Sequence, residues 1–232
     1  MNKKTVGIVG VGNVGATLDF TLATKNICSK LLLKDVRENF VQAMALDISQ
    51  ATNAAKSKTI VQACLNDKDF KDCDVIIITA GIARKPGMSR NDLLLTNAKI
   101  MTSVIDNIIP YNQNSIIIIV SNPLDVMVYT ALKASNWSRN KIIGMAGILD
   151  SARMAHFIFE KLGYGQGQID ASVMGGHGDD MVPLADFSTV AGVNLSELLS
   201  KNDIEDIINK TKNGGAQIVK LLETGSAYYA PA

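Results

Sequence analysis

Four short stretches of the chain are almost unbroken in their apolar character: Thr5–Val9, Leu31–Leu33, Val75–Ile78 and Ile116–Val120. Strands that are apolar on both faces suit a parallel sheet covered by helices on each side. Thr59–Ala63 predicts one more strand. Between these stretches the period lengthens. Val14–Lys25 and Glu38–Ala54 read as helices, and Met101, Val104, Ile105 and Ile108 follow helical spacing until Pro110 closes the segment. Repeated β-α-β units with right-handed crossovers give an α/β fold with an open, doubly wound parallel sheet.

The texture changes after about Met145. Leu149–Leu162 predicts a helix ended by Gly163, and six of the 18 glycines fall between Gly163 and Gly178. They bracket a strand candidate at Ile169–Met174, and such a cluster marks tight turns and close backbone approach. A helix from about Asp203 to Glu223, stopped by Gly225, follows. The pattern therefore divides the chain into a sheet domain at 1–145 and a second, α+β domain at 146–232, with no flexible linker between them.

Composition narrows the chemistry. The 232 residues are 47% hydrophobic, which argues against disorder. With 23 basic and 22 acidic side chains the net charge is +1, so no basic surplus exists for nucleic acid. No apolar run approaches the roughly 20 residues that span a bilayer. Lys3 and Lys4 before an apolar stretch resemble a signal peptide, but Gly7, Gly10, Gly12 and Gly15 break that stretch and no small-residue cleavage site follows. Cys28, Cys64 and Cys73 form no CxxC pair, and two histidines leave almost no material for a metal cage. The cysteines read as small core residues of a reducing compartment, and a cytoplasmic enzyme or binding module is expected.

Gly10-Val11-Gly12-Asn13-Val14-Gly15 matches G-x-G-x-x-G between a strand and a helix. The three glycines serve a tight turn, an open approach for a pyrophosphate and close helix–sheet contact. Asp35 stands 20 residues past Gly15 at the end of the second strand, where a carboxylate binds a ribose 2′-OH. It would repel a 2′-phosphate, which favours NAD over NADP; Arg37 close by weakens that preference. The plainer reading is a structural turn and a solvated aspartate.

Further candidates sit in loops and at a helix start. His177 lies in Met174-Gly-Gly-His-Gly-Asp-Asp180, just past a strand, and histidine is the side-chain type that exchanges protons near neutrality. His156 sits mid-helix without such context and reads as structural. Asp150 and Arg153, three apart, share a helix face; helix-terminus charge and surface arginine describe them equally well. The loop Gly81–Arg90 follows a strand and carries Arg84, Lys85 and Arg90. It is either a solvated basic loop or an anion-binding lid. Ser121-Asn122-Pro123 puts an amide side chain at the same sheet edge.

Taken together, in this order and spacing, the segments resemble the lactate/malate dehydrogenase family, nearest its malate-specific branch. The carriers are G-x-G-x-x-G, Asp35, Ala83-Arg-Lys-Pro-Gly-Met-Ser-Arg90, Val120-Ser-Asn-Pro123, Leu149-Asp-Ser-Ala-Arg153 and Gly175-Gly-His-Gly-Asp179. The resemblance runs from Val6 to the last residue. It implies a Rossmann sheet followed by a substrate domain, NAD as cofactor, and a small-molecule substrate, malate or oxaloacetate. It makes His177 the acid/base, with Asp150 orienting its ring and favouring its protonated form. Arg153 would clamp the carboxylate beside the reacting carbon, and Arg90 would polarise the carbonyl. Asn122 would bind substrate and touch the nicotinamide, while Gly10, Gly12, Asn13, Val14, Gly15, Asp35, Asn97 and Val120 would hold NAD. Arg84 stands where lactate-specific members typically carry glutamine, and would pair with the distal carboxylate of a four-carbon diacid. A homo-oligomer is also implied. Family members continue beyond Gly225-Ser-Ala-Tyr-Tyr-Ala-Pro-Ala232 through further strands and a long helix, so the resemblance implies an incomplete second domain. The alternatives are an NAD-binding product without turnover and a lactate dehydrogenase, against which Arg84 argues.

Overall fold

The continuous apolar runs of the first half become neighbours in one parallel sheet. The computed structural model describes residues 4–83, 89–178 and 180–231. It divides into two units, one running to Gly144 and taking in the residues from Ala227, the other spanning Met145–Ser226. The first unit alternates β1 (Thr5–Val9), α1 (Asn13–Thr24), β2 (Lys30–Lys34), α2 (Glu38–Ala54), β3 (Ile60–Ala63) and β4 (Val75–Ile78). It continues with α3 (Arg90–Ile108), β5 (Ile116–Ile119), α4 (Leu124–Ser135) and β6 (Ile142–Gly144). Strand order is β3-β2-β1-β4-β5-β6, every adjacent pair parallel. The chain winds outward from β1 in one direction and from β4 in the other. A crevice therefore opens between their carboxyl ends, where such sheets bind ligands.

Burial follows the sequence pattern closely in the central strands. Ile8, Leu31, Leu33, Ile76, Ile78, Ile117 and Ile119 are all fully buried. Edge strand β3 departs from it: Val61 is buried while Ile60 and Gln62 face outward, so this strand alternates. In the first unit, α4 and β6 lie beyond the sequence expectation. The buried Leu124, Met127, Ala131 and Ser135 of α4 keep helical spacing, but Val126, Val128, Tyr129 and Thr130 among them favour strands. β6 is only three residues long.

The second unit is built on two helices, α5 (Gly147–Leu162) and, further along, α7 (Lys201–Leu222), which pack on each other. Between them come β7 (Ile169–Asp170), β8 (Val173–Gly175), β9 (Met181–Pro183), β10 (Thr189–Val190), β11 (Val193–Asn194) and the short α6 (Leu195–Leu198). Gly163 closes α5 in the left-handed region at φ 74°. The expected single strand at Ile169–Met174 is instead two. β7 joins a three-stranded antiparallel sheet with β10 and β11, and β8 pairs with β9 as a hairpin. The last helix also begins earlier than expected, because Ser200 caps it by accepting from the Asp203 N–H at 3.2 Å. It ends at Leu222 with Glu223 left-handed (φ 57°), ahead of Gly225. Met154, Ile158, Val173, Met181, Val190, Leu195 and Ile207 form this unit's core.

All three cysteines are buried and reduced. Burial pushes the Cys64 thiol up to about 11 and that of Cys73 up to about 12, so these two sulfurs are poor nucleophiles.

A buried carboxylate stands on the core face of α1. Asp19 lies on the buried stripe of α1 with Gly15 and Ala23. Neither of its carboxylate oxygens has a hydrogen-bond partner among the described residues. Burial raises its pKa well above the ordinary aspartate value. A raised folded-state pKa means that stability is lost as pH rises from the unfolded value of about 3.9 towards the folded one. Asp19→Ala is therefore expected to raise stability at neutral pH by about 1–3 kcal/mol. In urea titrations across pH, the gain should shrink as pH falls from neutrality towards the unfolded value of about 3.9 and level off below it. A variant less stable than the parent at pH 7 would contradict this.

Candidate active site

The turn from β1 into α1 has the geometry a pyrophosphate requires. Gly10 is left-handed at φ 99°, and a Cβ there would meet the Ala80 backbone nitrogen at 2.6 Å. A Cβ at Gly15 would strike the Gly10 carbonyl oxygen, so α1 lies tight against the turn. At Gly12 the space within 4 Å is open. Gly12 is also the N-cap of α1, whose first turn has neither a side-chain cap nor an acidic residue. Helix N–H donors facing open space suit an anion. Asn13 is exposed and Val14 half-buried in this first turn. A cavity of about 630 Å³ extends from here, lined by Gly10, Gly12, Asp35, Thr79, Gly81 and Ser103 among others. These residues fit a dinucleotide: an open glycine over free helix donors, with a carboxylate along the same cleft.

Asp35 ends β2 with its side chain only 8% exposed. It accepts from the Val11 N–H at 2.9 Å, which ties it to the glycine turn. Burial pushes its carboxyl up, but the hydrogen bonds and charge of Arg37 and the Val11 N–H outweigh this and hold it below the usual range.

Asn97, on α3, is buried and tied to backbone. Its Oδ1 accepts from the Ile82 N–H at 2.8 Å, and its Nδ2 donates to the carbonyls of Ile82 and Asn122 at 3.2 and 2.7 Å. It thus joins the loop after β4 to the loop after β5. Val120 continues the sheet past β5, its N–H donating to the Ile78 carbonyl at 2.9 Å. Ser121 hydrogen-bonds the Ala80 carbonyl at 2.6 Å, and Asn122 beside it is exposed. Arg84, with Lys85, lies outside the described residues, as does Asp179 in the second unit. Arg90 opens α3 behind the Ser89 cap, and its side chain is likewise outside them.

In the second unit three expected residues converge. Asp150 sits in the first turn of α5, its side chain 2% exposed. Its Oδ2 lies 2.9 Å from His177 Nδ1, and its Oδ1 accepts from Arg153 Nη1 at 3.2 Å. A carboxylate only accepts, so Nδ1 carries the hydrogen in this pair. His177 is held in place by its hairpin: β8 is tied to α5 through the Val173 N–H on Ser151 Oγ at 2.9 Å, and Gly175 and Gly178 turn left-handed on either side. His156 is exposed on α5, beside Phe157, so it is no core histidine.

Arg153 also donates to the Thr211 carbonyl at 3.3 Å. Burial pushes its pKa down, and Asp150 opposes that shift; arginine stays charged regardless. Its seat was not expected from sequence. Gly214 and Gly215 on α7 leave room for the side chain: a Cβ at Gly214 would come within 2.7 Å of Arg153 Cδ, and one at Gly215 within 3.3 Å of Nη2. A pair of glycines inside an otherwise helical pattern was the only signal available.

Comparison with known proteins identifies the family. Residues 4–144 match the lactate/malate dehydrogenase NAD-binding domain, and residues 148–232 the alpha/beta C-terminal domain of the same family. The chain is 69% identical to a malate dehydrogenase of Aliarcobacter butzleri over 232 residues, all of this chain and 74% of that protein. Malate dehydrogenase of Picrophilus torridus superposes with TM-score 0.93 at 40% identity, covering 99% of this chain and 72% of that one. A lactate dehydrogenase of Cryptosporidium parvum, complexed with lactic acid and nicotinamide adenine dinucleotide, superposes at 0.92 with 35% identity over 100% of this chain and 74% of that one. The chain belongs to the lactate/malate dehydrogenase family, a family of NAD-dependent oxidoreductases. Its cofactor is NAD and its substrate a small molecule.

Proposed function

We propose that this chain interconverts (S)-malate and oxaloacetate with NAD, using His177 and Asp150 as the acid/base pair. The observation that carries this reading is the 2.9 Å contact between His177 Nδ1 and Asp150 Oδ2, with Arg153 on the other carboxylate oxygen. NAD, when bound, would supply the acceptor for the hydride leaving C2 of malate and, as NADH, the hydride for oxaloacetate. His177 takes the C2 hydroxyl proton on oxidation and gives it back to the carbonyl oxygen on reduction, so the proton balance closes on the imidazole. Asp150 fixes the ring with Nδ1 protonated, which assigns the transfer to Nε2. Arg153 pairs with the carboxylate beside the reacting carbon. Arg90 stabilises the developing alkoxide, and Arg84 pairs with the distal carboxylate.

On the cofactor side, Gly10, Gly12, Asn13, Val14 and Gly15 receive the pyrophosphate and Asp35 the adenosine ribose. Asn122 hydrogen-bonds substrate and touches the nicotinamide side of the site, and Val120 and Asn97 contact NAD. The backbone bonds of Asn97 make it a residue that positions these two loops. Assembly into a homo-oligomer belongs to the same reading, supported by the exposed Leu46 on α2 and Ile148 on α5.

The test is steady-state reduction of oxaloacetate and of pyruvate by the full chain, set beside NADH binding followed by fluorescence. Oxaloacetate is expected to have the higher kcat/KM. A preference for pyruvate would overturn the substrate assignment, and NADH binding without reduction of either would overturn the catalytic one.

A further inference from the structure

The carboxylate assigned to the ribose is already fully engaged. Asp35 Oδ1 accepts from the Arg37 backbone N–H at 3.1 Å and from Arg37 Nε at 2.9 Å. Oδ2 accepts from the Val11 N–H at 2.9 Å and from Arg37 Nη2 at 3.2 Å. An ionised carboxylate offers about four lone-pair sites, and these four donors fill them. A ribose hydroxyl that is to donate here must displace one. Two of the donors are backbone N–H groups fixed by the fold; the other two belong to the Arg37 side chain. Only Arg37 is able to yield.

It does not have far to go. The guanidinium lies 3.9 Å above the Phe40 ring, a cation–π seat independent of Asp35. Its side chain is 56% exposed on the wall of the cleft that Asp35 and Gly12 line. Displaced from Asp35, the cation would stay on this cleft wall, beside the carboxylate assigned to the ribose. Towards a 2′-hydroxyl it is a competitor for the carboxylate. Towards a 2′-phosphate it is a counter-charge with a bidentate fork.

We propose that Arg37 is a second determinant of cofactor choice, which narrows the preference for NAD over NADP that Asp35 alone would set. The proposal rests on the reading of Asp35 as the ribose ligand. Its test measures dissociation constants for NADH and NADPH by fluorescence titration of the full chain. The variants are Arg37→Val, Asp35→Asn and the double substitution, with circular dichroism to verify folding. Arg37→Val is expected to raise Kd(NADPH)/Kd(NADH) about tenfold, chiefly by weakening NADPH. Asp35→Asn is expected to lower the ratio, and in the double variant that gain for NADPH should be lost.

A rise of less than threefold in Arg37→Val, while Asp35→Asn still lowers the ratio, overturns the role of Arg37 alone. A ratio unmoved by Asp35→Asn overturns the ribose assignment beneath it. NADPH binding too weak to measure in the parent chain also overturns the proposal.

Discussion

Asparagine in place of His177 is expected to lower kcat by roughly 10²–10⁴-fold while leaving NADH binding unchanged. The amide matches the shape of half an imidazole and keeps a donor for Asp150, but it exchanges no proton at neutral pH. The change is local. The hairpin that carries residue 177 is held by β8–β9 pairing and by the Val173–Ser151 hydrogen bond, neither of which involves the imidazole. The cofactor cleft is built from first-unit residues. Stopped-flow reduction of oxaloacetate beside an NADH titration checks both halves. If turnover and NADH binding fail together, His177 is a structural residue and the acid/base assignment is wrong.

The second large effect concerns the substrate. Arg84→Gln is expected to lower the ratio of kcat/KM for oxaloacetate over pyruvate by roughly 100-fold or more. An unpaired cation in a site closed to water costs roughly 3–5 kcal/mol, and each 1.4 kcal/mol is a factor of ten. On the role proposed for Arg84, a diacid would satisfy that cation and pyruvate would leave it bare. With glutamine present, the second carboxylate would lose its partner and the penalty on pyruvate would disappear, so both numbers should move. A ratio that stays the same would remove Arg84 from the specificity argument.

How far the fold could be read in advance depended on the reach of each signal. β1, β2, β4 and β5 are continuous apolar stretches whose burial is local to the strand, and their positions followed directly. α4 was hidden by its β-branched residues, whose strand preference is overridden by packing against α3 and β6. The break between β7 and β8 had no local mark. Ile169 to Met174 is apolar enough for one strand, and only the pairing of its two halves with different partners divides it.

The site shows the same limit. Asp150 and Arg153 share a helix face, which spacing alone states. Asp150 and His177 are 27 residues apart, so their hydrogen bond was available only through family resemblance. Asp35 was legible from its distance to the glycine turn, whereas the saturation of its oxygens by Arg37 is a matter of rotamers. Asp19 could not be read at all, because an aspartate one turn beyond Gly15 looks like a solvated helix residue until its burial is seen.

The glycine pair that seats Arg153 has a consequence for how this chain could evolve or be engineered. Glycine inside a helix is about 1 kcal/mol worse than alanine, so Gly214 and Gly215, in a helix of 22 residues, are natural first targets of any search for thermostability. Alanine at Gly214 would place its methyl where Arg153 Cδ lies and push aside the cation proposed to clamp the substrate. Selection for heat tolerance and selection for turnover would therefore pull this helix in opposite directions, and the ceiling on its stability is set by an arginine on its neighbour.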